Sequence, residues 1–129
     1  MVTRRYVALL LVTAAAIGIA ADQPPHPSNK WRLECSGAAK SDGEVEIHVT
    51  PSQGQAIVVT ARISKGRSEN QVAQDIRDAL RAQLDPARFS AEVDDGEDVL
   101  IKKHHGQPDF IVAVVRNTVT HVRIKLNRE

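Results

Sequence analysis

Apolar and polar residues alternate from Glu44 to Thr50 and again from Ile57 to Ile63, and no other feature constrains the fold of this chain as strongly. A period of two puts Val45, Ile47 and Val49 on one side of an extended backbone. Glu44, Glu46, His48 and Thr50 fall on the other, so the segment is predicted to be a strand with one face buried. Ile57, Val59, Ala61 and Ile63 repeat the pattern against Val58, Thr60 and Arg62. Pro51-Ser52-Gln53-Gly54-Gln55 supplies turn residues between them, and an antiparallel hairpin is expected.

The apolar period then changes from two to that of a helix. Val72, Ile76, Ala79, Leu80 and Leu84 form one stripe, which stops before Asp85-Pro86. Ser68 stands where the helix should begin, with Gln71 three residues on, the spacing of a capping box. The stripe needs a partner, and the alternating valines and isoleucines provide it, giving two layers around one core.

Beyond the helix, Phe89, Ala91 and Val93 are separated from Val99 and Ile101 by Asp94-Asp95-Gly96. A three-residue loop with Gly96 left-handed would set Ala91 opposite Val99 and Phe89 opposite Ile101. A two-residue turn would set Phe89 opposite Lys102, so the longer loop is predicted. Phe110 to Val115 is continuously apolar, which points to a central strand covered on both faces, with the segment of Trp31, Leu33 and Cys35 as its second cover. That segment alternates with Arg32 and Glu34 and is read as a short edge strand. The last strand carries Val122, Ile124 and Leu126 on one side and His121, Arg123 and Lys125 on the other. Its cationic face is expected beside Glu44 and Glu46. The expected fold is α+β, a single helix on a five- or six-stranded, mainly antiparallel sheet in the order β-β-α-β-β-β, with an optional edge strand before it.

Ahead of this domain stand Arg4 and Arg5, a fifteen-residue apolar run from Val7 to Ala21, and Asp22-Gln23-Pro24-Pro25. A basic start, a short apolar centre and the small residues Gly18, Ala20 and Ala21 have the form of a secretory signal peptide, with cleavage after Ala20 or Ala21. Fifteen positions is short for a bilayer-crossing helix, which needs about 20, so removal is expected and stable insertion is not. Residues 1–21 are thus read as leader, 22–29, with three prolines in eight residues, as a tether, and 30–129 as one domain. The mature chain would be periplasmic or extracellular. Losing two arginines and no acids turns seventeen basic against sixteen acidic residues into fifteen against sixteen. A near-neutral chain has no global field to gather nucleic acid, and none is expected as a partner. Cys35 is the only cysteine, so no internal disulfide staples the domain; its alternation with Trp31 and Leu33 places it in the core.

The chemistry-bearing residues are few. His48 and His121 are expected on outer strand faces and His104-His105 in a loop; these four are the candidate metal ligands, without the spacing that metal sites show. Asp94-Asp95-Gly96-Glu97-Asp98 is read as a hairpin turn rather than a calcium loop, because Val99 resumes a strand at once. Lys65-Gly66-Arg67 lacks the glycine pattern of a phosphate loop. No nucleophile elbow or Cys-His signature is present, and neither catalytic residues nor a cofactor are expected.

The stretch from Glu44 to Val115, two strands, the helix around Ser68-Glu69-Asn70-Gln71-Val72-Ala73-Gln74-Asp75-Ile76-Arg77-Asp78-Ala79-Leu80 and two strands, resembles the β-β-α-β-β modules of phage tail and bacterial surface proteins. The resemblance implies assembly or adhesion without catalysis. The expected function is a non-enzymatic, monomeric binding or structural module for a protein or cell-envelope component, engaged through an exposed sheet face or an edge strand. One alternative is an exported inhibitor of a hydrolase, although the glutamine-valine-glycine loop of cystatins is missing. Another is a metal-binding protein or hydrolase in which His48, His104, His105 and His121 converge.

Overall fold

A computed structural model describes residues 26–129. In chain order these form β1 (Lys30–Ser36), β2 (Gly43–Pro51), β3 (Ile57–Ile63), α1 (Glu69–Gln83), β4 (Phe89–Asp94), β5 (Asp98–Lys103), β6 (Phe110–Asn117) and β7 (Arg123–Arg128). The class is α+β with one helix, as the periodicities require, but the strands divide into two antiparallel sheets, ordered β4-β5-β1-β7 and β3-β2-β6. A single sheet of five or six strands is therefore corrected to four plus three. The chain changes sheet between β1 and β2, across α1, and at both ends of β6, and such changes leave no mark in an alternation pattern.

The inner faces enclose the core. Trp31, Leu33 and Cys35 of β1, Val99 and Ile101 of β5, and Phe89 and Ala91 of β4 face Val45, Ile47 and Val49 of β2, with Val59 and Ala61 of β3 and Phe110 and Val112 of β6. Helix α1 contributes Val72, Ala73, Ile76 and Leu80 and packs mainly on β3 and β4, the edge strands of the two sheets on one side. It closes that side of the sandwich. The Ser68 side chain accepts from Gln71 N and the Gln71 side chain accepts from Ser68 N, completing the capping box. Phe89 meets Phe110 edge-on, centroids 5.2 Å apart at 81°, and the Trp31 indole N–H donates to the Phe110 carbonyl at 2.8 Å.

Four expectations are corrected. The segment of Trp31 to Cys35 is not an edge strand: β1 lies inside its sheet between β5 and β7, and Trp31 is buried there. Strand β6 is not central and not covered on both faces; it is the edge of the smaller sheet, and Val115 is 48% exposed. A continuous apolar run required two buried faces only on the assumption that apolar means inside. Glu44 and Glu46 do not neighbour Arg123 and Lys125. Instead Glu44 pairs with Arg116 at 2.6 Å, while Lys125 lies opposite Glu34 across β7 and β1. Finally, the β4–β5 hairpin does have a three-residue loop, with Asp95 at φ +51° and Gly96 at φ +80°, but its register is shifted by two. Ala91 stands opposite Ile101 and Val93 opposite Val99, so the apolar faces still coincide.

Ser28, within the segment read as a tether, is buried and forms a bridge with Phe110. The proposed leader, residues 1–21 with Ala20 and Ala21, lies outside the described residues, as does the start of the tether. Among the described residues no helix is long and apolar enough to cross a membrane. Cys35 is buried, as its alternation requires. Burial, with Asp98, Glu69 and Glu97 adding negative charge, pushes its thiol up to about 12.

Candidate functional site: an open sheet edge and its exposed face

Two sheets have four edges, and each edge strand presents backbone groups that can template a further strand unless something occupies them. At β3 the occupant is a side chain of the helix. Thr60 N–H donates to Gln83 Oε1 at 2.9 Å and Gln83 Nε2 donates to the Thr60 carbonyl at 2.8 Å. At β4, Arg81 Nε donates to the Ala91 carbonyl at 2.8 Å and Phe89 N–H donates to the Asp85 carbonyl at 3.0 Å. Strand β7 carries exposed Arg123, Lys125 and Arg128, and charged edges discourage pairing.

Strand β6 has neither device along its middle. Phe110 exchanges both backbone hydrogen bonds with Ser28, each 2.9 Å, so its polar groups point away from β2. Antiparallel geometry repeats that direction every second residue. The N–H and C=O of Val112 and Val114 therefore face outward, and neither residue has a backbone or side-chain partner there among the described residues. Ile111, Val112, Ala113, Val114 and Val115 carry no charge to guard them.

The outer face of the same sheet adjoins this edge. Across it run the rows Val58–His48–Ala113 and Thr50–Ile111. Between Glu46 and Ile47 the register shifts, leaving Val115 as the extra residue of a bulge. Val58, 49% exposed, and Val115, 48% exposed, are the exposed large hydrophobic residues among those described, and both belong to this sheet. Charge collects at one end: the Glu44 carboxylate takes Arg116 and, at 3.7 Å, Arg62. Nearer the middle, His48 Nε2 is 4.0 Å from Glu46. The arrangement is a partly apolar patch beside backbone amides and carbonyls that have no partner among the described residues.

The four candidate histidines are dispersed over three parts of the fold. His48 is on β2, His104 and His105 are in the β5–β6 loop, and His121 is in the turn after β6, at φ +74°, rather than on a strand. That turn is held close to the β1–β2 loop, since a Cβ on Gly37 would collide with the His121 carbonyl. Among the described residues no three His, Cys, Asp or Glu side chains gather as a metal set. The Lys65-Gly66-Arg67 turn is internally satisfied: Gly66 N–H donates to the Ala39 carbonyl at 2.9 Å, and Arg67 forms a two-pronged pair with Asp75 at 2.8 and 2.9 Å. The acidic hairpin is occupied by a side chain of this chain. Asp94 and Asp98 are directly opposed, and Arg32 bonds Asp98 at 2.8 Å, Asp94 at 3.1 Å and Glu129 at 2.5 Å. These bonds raise the Arg32 guanidinium above its ordinary value; Arg32 first and Lys30 next hold the Glu129 carboxyl below its own.

Sequence reasoning missed the open edge, because it placed β6 at the centre. The signal present was Val115-Arg116, where the apolar run passes into charge without a turn residue. The chain matches no protein-family model, and no curated protein is significantly similar to it.

Proposed function

We propose that this chain is an exported, non-enzymatic binding module that takes up an extended segment of an envelope or secreted protein by strand addition to β6. The observation that carries this reading is the contrast between edges: Thr60 on β3 is plugged at both backbone groups, whereas Val112 and Val114 on β6 have no outward partner among the described residues and stand beside exposed Val115. Main-chain hydrogen bonds to these residues would supply affinity. Side chains of the added strand, projecting alternately, would meet the face carrying Ile111, Ala113 and Val115 and supply selectivity. Export follows from the leader of residues 1–21, and the β-β-α-β-β resemblance supports an assembly or adhesion role over inhibition of a hydrolase or metal binding.

The chain's own candidate for this edge is the sequence ahead of Ser28, since the Ser28–Phe110 bridge is antiparallel; Pro24, Pro25 and Pro27 have no N–H and form poor strands. Amide hydrogen exchange distinguishes the two. In the isolated mature protein the Val112 and Val114 amides should exchange freely, and an envelope extract should yield a partner that protects both. Val114→Pro removes an outward N–H without breaking a bond to β2, so it should leave the domain folded by circular dichroism and abolish capture. Protection of both amides in the isolated protein, or capture unaffected by Val114→Pro, would refute strand addition. Capture of one enzyme with loss of its activity would instead establish the inhibitor reading.

A further inference from the structure

On the opposite side of the sandwich, at the edge of the larger sheet, α1 and β4 diverge and leave a groove of about 370 Å³. Its size falls within the range of small-ligand sites. Leu80 and Leu84 of the helix end, with Phe89 and Ala91 of β4, give it an apolar lining, and these four side chains are nearly completely buried. The lining holds one guanidinium. Arg81 and the His104 imidazole line the groove, and the Arg88 guanidinium lies over the ring of the lining residue Phe89, 5.5 Å from its centroid. None of the lining residues is a carboxylate, and among the described residues neither Arg81 nor Arg88 makes an ion pair.

Arg81 is also held in place. Its Nε is committed to the Ala91 carbonyl at 2.8 Å, which anchors the guanidinium across the groove while its two terminal nitrogens make no hydrogen bond among the described residues. The nearby loop is fixed too, by His104 N–H donating to the Arg88 carbonyl at 2.8 Å. A positioned guanidinium is suited to a carboxylate, which it can bind through two parallel N–H groups. An apolar trough whose charged rim is cationic complements a molecule with an alkyl body and one anionic end.

We infer that this groove is a binding site for a medium-chain aliphatic carboxylate, with the alkyl chain between Leu80, Leu84, Phe89 and Ala91 and the carboxylate on Arg81. The site lies on a different sheet from β6 and does not depend on the strand-addition reading.

Decanoate below its micelle concentration is the probe, and decanol supplies the same alkyl body without charge. Titration followed by calorimetry and by methyl NMR should show decanoate shifting the Leu80, Leu84 and Ala91 methyls and binding about tenfold or more tightly than decanol, the scale of one charge-assisted hydrogen bond. Arg81→Met keeps an apolar stem as far as the Nε position and should remove that preference while leaving decanol binding nearly unchanged; the lost bond to the Ala91 carbonyl should lower stability by no more than one hydrogen bond. Val114→Pro should have no effect. Absence of shifts at these methyls, equal affinity for decanoate and decanol, or a preference that survives in Arg81→Met would overturn the assignment.

Discussion

Replacing Arg32 by methionine tests how the outer face of the larger sheet is held. The cation is central to β1, and it bonds Asp98 at 2.8 Å, Asp94 at 3.1 Å and Glu129 at 2.5 Å. Its side chain is 18% exposed and that of Asp98 14%, so this pair is largely shielded from water. A charged hydrogen bond in such a place is worth about 1.5–3 kcal/mol net, while the more exposed pair to Asp94 adds about 0.2–1 kcal/mol. Removing the cation also leaves Asp94 and Asp98 directly opposed across β4 and β5. That repulsion is about 1 kcal/mol at 4–5 Å in a water-like dielectric. Methionine retains an apolar stem over Leu100, which stands opposite Arg32 in β5 and is buried, so packing changes little.

The expected loss is about 3 kcal/mol, against a total stability of about 5–15 kcal/mol for a domain. Urea unfolding at pH 7, followed through the buried Trp31, measures it. Adding Asp94→Asn and Asp98→Asn to Arg32→Met should restore at least half of the loss, because the opposed charges are then gone. The pH dependence has a definite sign. Glu129 is held below its ordinary value of 4.5, so its contribution is present above that pH and is lost as pH falls through the lowered folded value. Arg32→Met should therefore be less acid-sensitive than the parent protein. A loss under 0.5 kcal/mol, or no recovery in the triple variant, would refute the argument.

Three further outcomes are expected. Cys35, at about 12 in the fold against an ordinary 9.0, contributes stability that is full below pH 9 and lost as pH rises towards 12; relative to Cys35→Ala the protein should lose up to about 4 kcal/mol over that interval, and the thiol should resist alkylation at pH 8 until the domain unfolds. Gln83→Ala frees both backbone groups of Thr60 at an exposed edge. It should cost only about 1 kcal/mol, yet speed exchange of the Thr60 amide and promote concentration-dependent association measured by light scattering. Ile76→Ala, at a fully buried position on the core face of α1, should destabilise by about 2–5 kcal/mol in urea titration, and a smaller effect would show that the helix does not seal the two sheets.

Much of the fold was legible because the forces concerned are local. Period-two burial located β2 and β3 and their hairpin, the capping box located the start of α1, and Asp95-Gly96 marked the β4–β5 loop. The pattern gives the register of that loop two residues out because both registers preserve the apolar faces; the charges of Asp94 and Asp98 count against the observed one until Arg32, 62 and 66 residues upstream, is placed between them. The candidate site was legible only in kind. The pattern predicts an exposed sheet face or an edge strand but places β6 at the centre, since an apolar run reads the same whether its second face is packed or open.

The sequence by itself determined the elements, the inward faces of most strands, the capped helix and the burial of Cys35, because each depends on neighbours a few residues away. Tertiary structure decided the division into two sheets, the interior place of β1, the plugging of β3 by Gln83 and the exposure of β6. The physical reason is that an edge is defined by which strand is absent from one side. Backbone hydrogen-bonding groups are identical in every residue except proline, so side-chain pattern reports which face is buried and carries no information about which lateral partner is missing.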